Sequence, residues 1–332
     1  MDPPVGIQKR RDKRTVKPHT ATPGMEFLFI LSLFFSSVLC IDILYDGRAS
    51  PNFDAGVLDK SSGPYLTVVR GSEAASHYTQ FISNTLFPTP LWSNPFSNTE
   101  DVIAVSIDNS SVFVPGGNIN NTQFGFRRTE MIAQKNSSVS QLTAISQVNT
   151  TAFHFSIAVD DSKPLNLTHE YQVVFIEPSD GSHVFGVKLG SPFTNPTGTL
   201  PAADAQNVKV LDHNLNVLFS TPFICRSWHN FAIVVDWDNL TLAVFYSVGA
   251  WPLNLVSPTQ KNQGAKVAPS GQGEFHFGVL KLPLVNPSDP PEQRGDVVHH
   301  GIQEGTTEGL LYSGIFIEKV NGASGPALSG PL

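Results

Sequence analysis

A chain of 332 residues that is 40% hydrophobic and only 15% charged is neither a disordered polymer nor a polytopic membrane protein. Its 26 glycines and 25 prolines are spread without a period, which excludes collagen and coiled coil and suits many short strands joined by turns. The formal charge of −7 argues against nucleic acid as a partner.

The first element in chain order is the segment MEFLFILSLFFSSVLC. Its apolar run, Phe27 to Leu39, has 13 residues and is interrupted only by Ser32, Ser36 and Ser37. That is too short to span a bilayer and has the length of a secretory signal core. Val38 and Cys40 are small enough to precede a cleavage site, so residues 1–40 are expected to be removed and the mature chain to begin at Ile41. The basic stretch Lys9, Arg10, Arg11, Lys13, Arg14 is then a long n-region, or lies upstream of a start at Met25; a nuclear-localisation reading fails because an apolar core follows. The remaining chain holds 15 basic and 25 acidic residues, a balance of −10. Cys225 is left without a partner, which rules out an internal disulfide; flanked by Ile224 and Arg226, it reads as a small buried apolar residue rather than a nucleophile. Acceptor motifs for N-glycans at Asn109, Asn120, Asn136, Asn149, Asn166 and Asn239 agree with a secreted, extracellular protein, whereas Asn195 and Asn286 are disqualified by a following proline.

Period-two alternation predicts strands near 42–46, 102–107, 123–132, 151–159, 170–177, 183–188, 207–211, 215–219, 229–237, 240–247, 273–280 and 310–318. Turn clusters such as Pro115-Gly116-Gly117-Asn118 and Pro178-Ser179-Asp180-Gly181 separate them, with no internal repeat and no linker. The expectation is one all-β domain over 41–332, a two-sheet antiparallel jelly roll whose first strand, near Leu44, and last, near Phe316, are neighbours. A curved sheet leaves one wetted face on which an extended polymer can lie.

The side chains suited to chemistry follow in the same order. Tyr78 and Trp92 fall in predicted loops, where exposed aromatics suit stacking on sugar rings. Along QFGFRRTE, alternation places Arg128 and Glu130 on one face and Arg127 on the other, giving either a surface ion pair or an arginine that tunes a catalytic carboxylate. His154 alternates with Phe153 and Phe155, and His276 with Phe275 and Phe277, so both should point away from the core. Glu170 enters a strand in THEYQ and shares a face with Gln172; it is either a solvated edge residue or the second member of an acid–base pair with Glu130. His229 shares parity with Phe231 and Ile233 and reads as a core histidine, and Trp228 and Trp237 as core too, while Trp251 falls in a loop. His299-His300 lacks a third ligand at zinc spacing.

The segments DILYDGR, GPYLTVVRGSE, VFVPGG, QFGFRRTE, WHNFAIVVDWDNLTLAVFYS, GEFHFGVLKLP and EGLLYSGIFIE together resemble the fungal glycoside hydrolase family 131, and the resemblance runs from Ile41 to about Glu318. It implies a secreted β-glucanase on a β-jelly roll, acting on β-1,3, β-1,6 and β-1,4 linkages with inversion, without metal or cofactor. Carried over residue by residue, it places catalytic carboxylates at Glu130 and Glu170; it also implies a functional histidine in the cleft, for which His276 is the first choice and His154 the second, and Arg127, Arg128, His154, Tyr78, Trp92 and Trp251 are the expected substrate contacts. The partner expected is β-glucan, not nucleic acid or membrane, and the chain is read as a monomer. A jelly-roll lectin that binds glucan without cleaving it is the competing reading, and a structural wall protein a lesser one.

Overall fold

Alternation of large apolar and polar residues can bury one side of a strand only against a second sheet, and the strands of this chain meet that demand in two layers. The structure, a computed structural model, describes residues 41–328 apart from 52, 84–99, 194–198, 266–272 and 322–324. In chain order the elements are β1 (Ile43–Asp46), α1 (Gly56–Asp59), β2 (Tyr65–Leu66), α2 (Ala75–Tyr78), β3 (Thr79–Ile82), β4 (Val102–Ile107), β5 (Arg127–Ala133), α3 (Val139–Ser146), β6 (Thr150–Val159), β7 (Glu170–Glu177) and β8 (Phe185–Gly190). There follow β9 (Asn207–Asp212), β10 (Val217–Pro222), β11 (His229–Asp236), β12 (Thr241–Val248), β13 (Asn254–Lys261), β14 (Glu274–Lys281) and β15 (Glu308–Lys319).

One sheet runs β13-β12-β11-β6-β15-β4-β3, with β1 also on β15; the other runs β10-β9-β8-β7-β14-β5-β2. Their ladders are antiparallel, and the sheets pack as a sandwich. As expected, the first and last strands are neighbours: Tyr45 pairs with Ile317 and Asp46 with Phe316. Between the sheets, Phe153, Phe155 and Ile157 of β6 and Phe231 and Ile233 of β11 meet Met131 of β5, Phe185 of β8 and Phe275 and Phe277 of β14. Phe153 and Phe275 touch edge to face with ring centroids 5.1 Å apart. Deleting such a ring costs about 3–5 kcal/mol.

Since Met131 and Ala133 face inward, period two turns Arg128, Glu130 and Ile132 outward, and Phe275 and Phe277 likewise turn His276 outward. The outer face of the second sheet thus gathers the polar residues of β5, β14, β7 and β8. Gly278 stands opposite Glu130, and a Cβ there would lie 2.3 Å from the Thr129 carbonyl oxygen, so only glycine lets β14 approach β5 at this point.

The sequence reading missed six elements, among them the four-residue helices α1 and α2. α3 is opened by Ser138, whose hydroxyl accepts the Gln141 N–H; β2 and β3 are short; β13 is an exposed edge strand containing Pro258, so it has no apolar side to announce it. Strand β5 also begins at Arg127 rather than 123, because a turn at Gly125 precedes it. Cys225 is exposed, contrary to expectation, in a turn between β10 and β11.

Candidate active site

Glu130 is the most constrained carboxylate on the outer face. Arg128, two residues back on the same side of β5, donates through Nε to Oε1 at 2.9 Å and through Nη2 to Oε2 at 2.8 Å. The guanidinium lies 5.7 Å over the Phe113 ring and reaches Gln123 Oε1 at 3.2 Å. From the adjacent strand, Nδ1 of His276 bonds to Glu130 Oε2 at 2.8 Å. The carboxylate is entirely enclosed. Burial alone would raise its pKa, but the Arg128 charge and the His276 bond outweigh burial and hold it down to about 2.

His276 is the other half of this arrangement. Its ring stacks on Phe175 of β7 at 4.8 Å, and its Nε2 faces Glu274 Oε2 at 3.5 Å and Glu177 Oε2 at 3.9 Å. Burial opposes its charge, yet the bonds to Glu130 and Glu274 and the Glu130 and Glu177 charges push its pKa up to about 9. The imidazolium is therefore the protonated group at neutral pH.

These shifts make stability depend on pH. A carboxylate lowered from 4.5 to about 2 contributes stability above 4.5 that is lost as pH falls towards 2. A histidine raised from 6.5 to about 9 contributes stability below 6.5 that is lost as pH rises towards 9. Thermal unfolding followed from pH 2 to 10 is expected to show a melting temperature that declines on both sides of that window; a profile flat up to pH 10 would mean the histidine–glutamate bond adds nothing.

Glu170 is buried rather than a solvated edge residue. Its Oε1 accepts from Lys188 Nζ of β8 at 2.7 Å and from Gln172 Nε2 at 3.1 Å, and its Oε2 accepts the Phe193 N–H at 2.7 Å. Burial again acts to raise the pKa, and the Lys188 charge and bond overcome it, leaving the carboxyl below its usual range. Behind this strand end, Lys281 is held between Glu304 at 2.5 Å and Glu308 at 2.7 Å, and His169 Nδ1 bonds the Leu282 carbonyl at 2.7 Å. The Leu282 N–H donates in turn to the Glu170 carbonyl at 2.9 Å, so the backbone that carries the carboxylate is anchored from below.

The register relates the two carboxylates. Glu130 pairs with Gly278, while Arg128 and Gln172 both pair with Leu280 from opposite sides of β14. Each glutamate is hydrogen-bonded to the residue of its own strand that lies on the Leu280 row, Glu130 to Arg128 and Glu170 to Gln172. Arg128 and Gln172 are separated by two strand spacings, about 10 Å at the backbone.

The remaining candidates are dispersed. Arg127 turns to the other side of β5 and binds the carbonyls of Phe124 at 3.0 Å and Phe126 at 2.9 Å. His154 points out of the core as expected, but from β6, a strand of the opposite sheet. There it stacks on Phe316 at 4.1 Å and bonds Glu318 at 2.8 Å, and nothing brings it to Glu130. Tyr78 is not an exposed loop aromatic: it ends α2, is buried, and its hydroxyl meets Ser110 Oγ at 2.7 Å. Trp251 is 74% exposed in the turn joining β12 and β13 of the opposite sheet, and Trp92 lies outside the described residues. His229 is buried against Tyr246, whose hydroxyl lies 2.8 Å from Nδ1, and exposed His299 pairs with Asp296. Sequence reasoning did not single out Lys188, Glu177 or Glu274. Glu274 shares parity with His276 and could have been found by alternation; Lys188 becomes relevant only once β8 is known to pair with β7.

Enclosed carboxylates fixed by cations on the outer face of an antiparallel β-sandwich are groups of the kind glycoside hydrolysis uses. The description "Glycoside hydrolase 131 catalytic N-terminal domain" matches residues 43–323, and the chain belongs to that family of glycoside hydrolases. Two solved structures share the fold. One is a GH131 β-glucanase catalytic domain from Podospora anserina, with TM-score 0.60 and 22% identity, covering 84% of this chain and 96% of that one. The other is the catalytic domain of a family 131 protein from Coprinopsis cinerea, with TM-score 0.59 and 21% identity, covering 84% and 95%. No curated protein matches the chain.

Proposed function

We propose that the protein is a secreted β-glucanase that hydrolyses its substrate with inversion, using Glu170 as base and the Glu130–His276 pair as acid. The observation that carries this reading is the pair of buried carboxylates on the two strands that flank β14, Glu130 bound to Arg128 and His276 and Glu170 bound to Lys188. Inverting glycosidases separate the two groups by about 6.5–9.5 Å, leaving room for a water, and strands two spacings apart favour that range over the shorter retaining distance of about 5–5.5 Å. In this scheme Glu170 takes a proton from water as its oxygen attacks the anomeric carbon. The proton shared by His276 Nδ1 and Glu130 goes to the glycosidic oxygen as the carbon–oxygen bond breaks, and solvent later restores it.

A β-glucan substrate is supported by the family and by the activity named for the Podospora relative. Secretion is supported by the apolar segment before Ile41 and by exposed acceptor asparagines at 109, 120, 136, 149 and 239; Asn166 instead donates to Glu304 at 2.9 Å. Release of reducing sugar from laminarin, pustulan, lichenan and cellulose tests the activity, and NMR of the first-formed anomer tests the stereochemistry. Turnover of at least one β-glucan with an inverted product is expected. Tight glucan binding with no release would favour the lectin reading.

A further inference from the structure

Strand register sets Glu274 of β14 directly opposite Glu177 of β7. Two like charges facing each other across strands destabilise a sheet unless a cation lies against them. The cation that faces both is His276, whose Nε2 is in ion-pair range of each carboxylate. The placement follows from alternation: Glu274 and His276 are two residues apart on one side of β14, and Glu177 shares its side of β7 with Phe175, on which the imidazole is stacked. Stacking fixes the plane of the ring, and the hydrogen bond to Glu130 fixes which nitrogen points inward. Nε2 is thereby turned to the sheet end, where Glu177 and Glu274 are 30% and 47% exposed at the side chain.

We propose that Glu177 and Glu274 are positioning residues for His276, holding its Nε2–H so that the ring stays an imidazolium with Nδ1–H aimed at Glu130. This rests on the acid role given to the Glu130–His276 pair above. The groups facing the imidazole are Arg128 and Glu130 from β5, Glu177 from β7, Glu274 on its own strand, and His183, which stacks on the same Phe175 ring at 4.4 Å. His183 adds no charge at neutral pH, because burial and the Lys188 and His276 charges keep its pKa at about 4. Glu130 is already matched by Arg128. Together with the bond to Glu130, the carboxylates at Nε2 offset the burial of the imidazolium.

The test is the titration of the His276 ring, read from its Cε1–H resonance by NMR in the full folded chain. In the Glu177→Gln/Glu274→Gln variant the midpoint is expected to fall by about one pH unit or more, with Glu274→Asp intermediate. Circular dichroism confirms that each variant is folded, and since both side chains are partly exposed the exchange leaves the core intact. A midpoint that stays in place in the folded double variant overturns the proposal. The alkaline limb of the kcat profile is measured in parallel and should fall with the midpoint. If the midpoint falls and the limb does not move, the positioning role stands and the acid role of the Glu130–His276 pair is what fails.

Discussion

Glu130→Gln is expected to lower kcat by about 10²–10⁴ while glucan binding persists, because glutamine keeps the shape and one carbonyl oxygen but cannot pass a proton. The same exchange disturbs the fold, and the two effects must be separated. Arg128 and His276 are both buried against this carboxylate, and removing one partner of a buried ion pair leaves the other charge unmatched at a cost of about 3–5 kcal/mol. In a domain of this size that lowers the melting temperature by on the order of 10 °C. Turnover is therefore compared well below the variant's own transition, per folded molecule, with affinity electrophoresis on glucan as the binding control. A folded variant that keeps more than a tenth of the wild-type kcat would return Glu130 to the status of a structural ion pair.

Glu170→Gln should cause a loss of similar size, about 10²–10⁴, since it removes the group that accepts the proton of the attacking water. Here the neighbouring cation gives a second, independent readout. Lys188 keeps the carboxyl ionised below its ordinary range, so Lys188→Met is expected to raise the Glu170 pKa and move the acid limb of kcat/KM to higher pH by about one unit. A merely structural lysine would lower the amount of folded protein and leave the midpoint of that limb in place. The pair assignment is lost if Glu170→Gln remains active, and Glu130 with His276 would then be sought as the whole catalytic apparatus.

The legible parts of this molecule were those governed by period two. Alternation correctly aligned Arg128 with Glu130, and Glu170 with Gln172, and it turned His276 out of the core, because each statement concerns one strand and its two sides. It could not say which sheet a strand joins. His154 obeys the same rule as His276 and is turned outward just as strictly, yet β6 belongs to the opposite sheet, and the residue pairs with Glu318 instead. Lys188 is invisible for the same reason: a lysine on a strand is ordinary until the β7–β8 ladder sets it beside a carboxylate. Tyr78 shows a different limit, since the polar residues around it resemble a loop while Ser110, 32 positions away, supplies the hydroxyl that lets a tyrosine be buried there.

The chain order of the two sheets bears on how the molecule is made. The last strand, β15, is not at a margin but between β6 and β4, and β14 is likewise inserted between β7 and β5. Until both have been synthesised, five strands, β1, β4, β5, β6 and β7, carry unpaired backbone edges that can recruit other chains. Closing the gap between β4 and β15 requires contacts across some two hundred residues, a topology of high contact order and correspondingly slow folding. Strands β1 and β4 must therefore wait, each with an open edge, until β15 arrives. His276 rides on one of these two late strands and Glu130 on the strand it completes, so the bond between them forms only after β14 has been made and is a marker that the second sheet has closed.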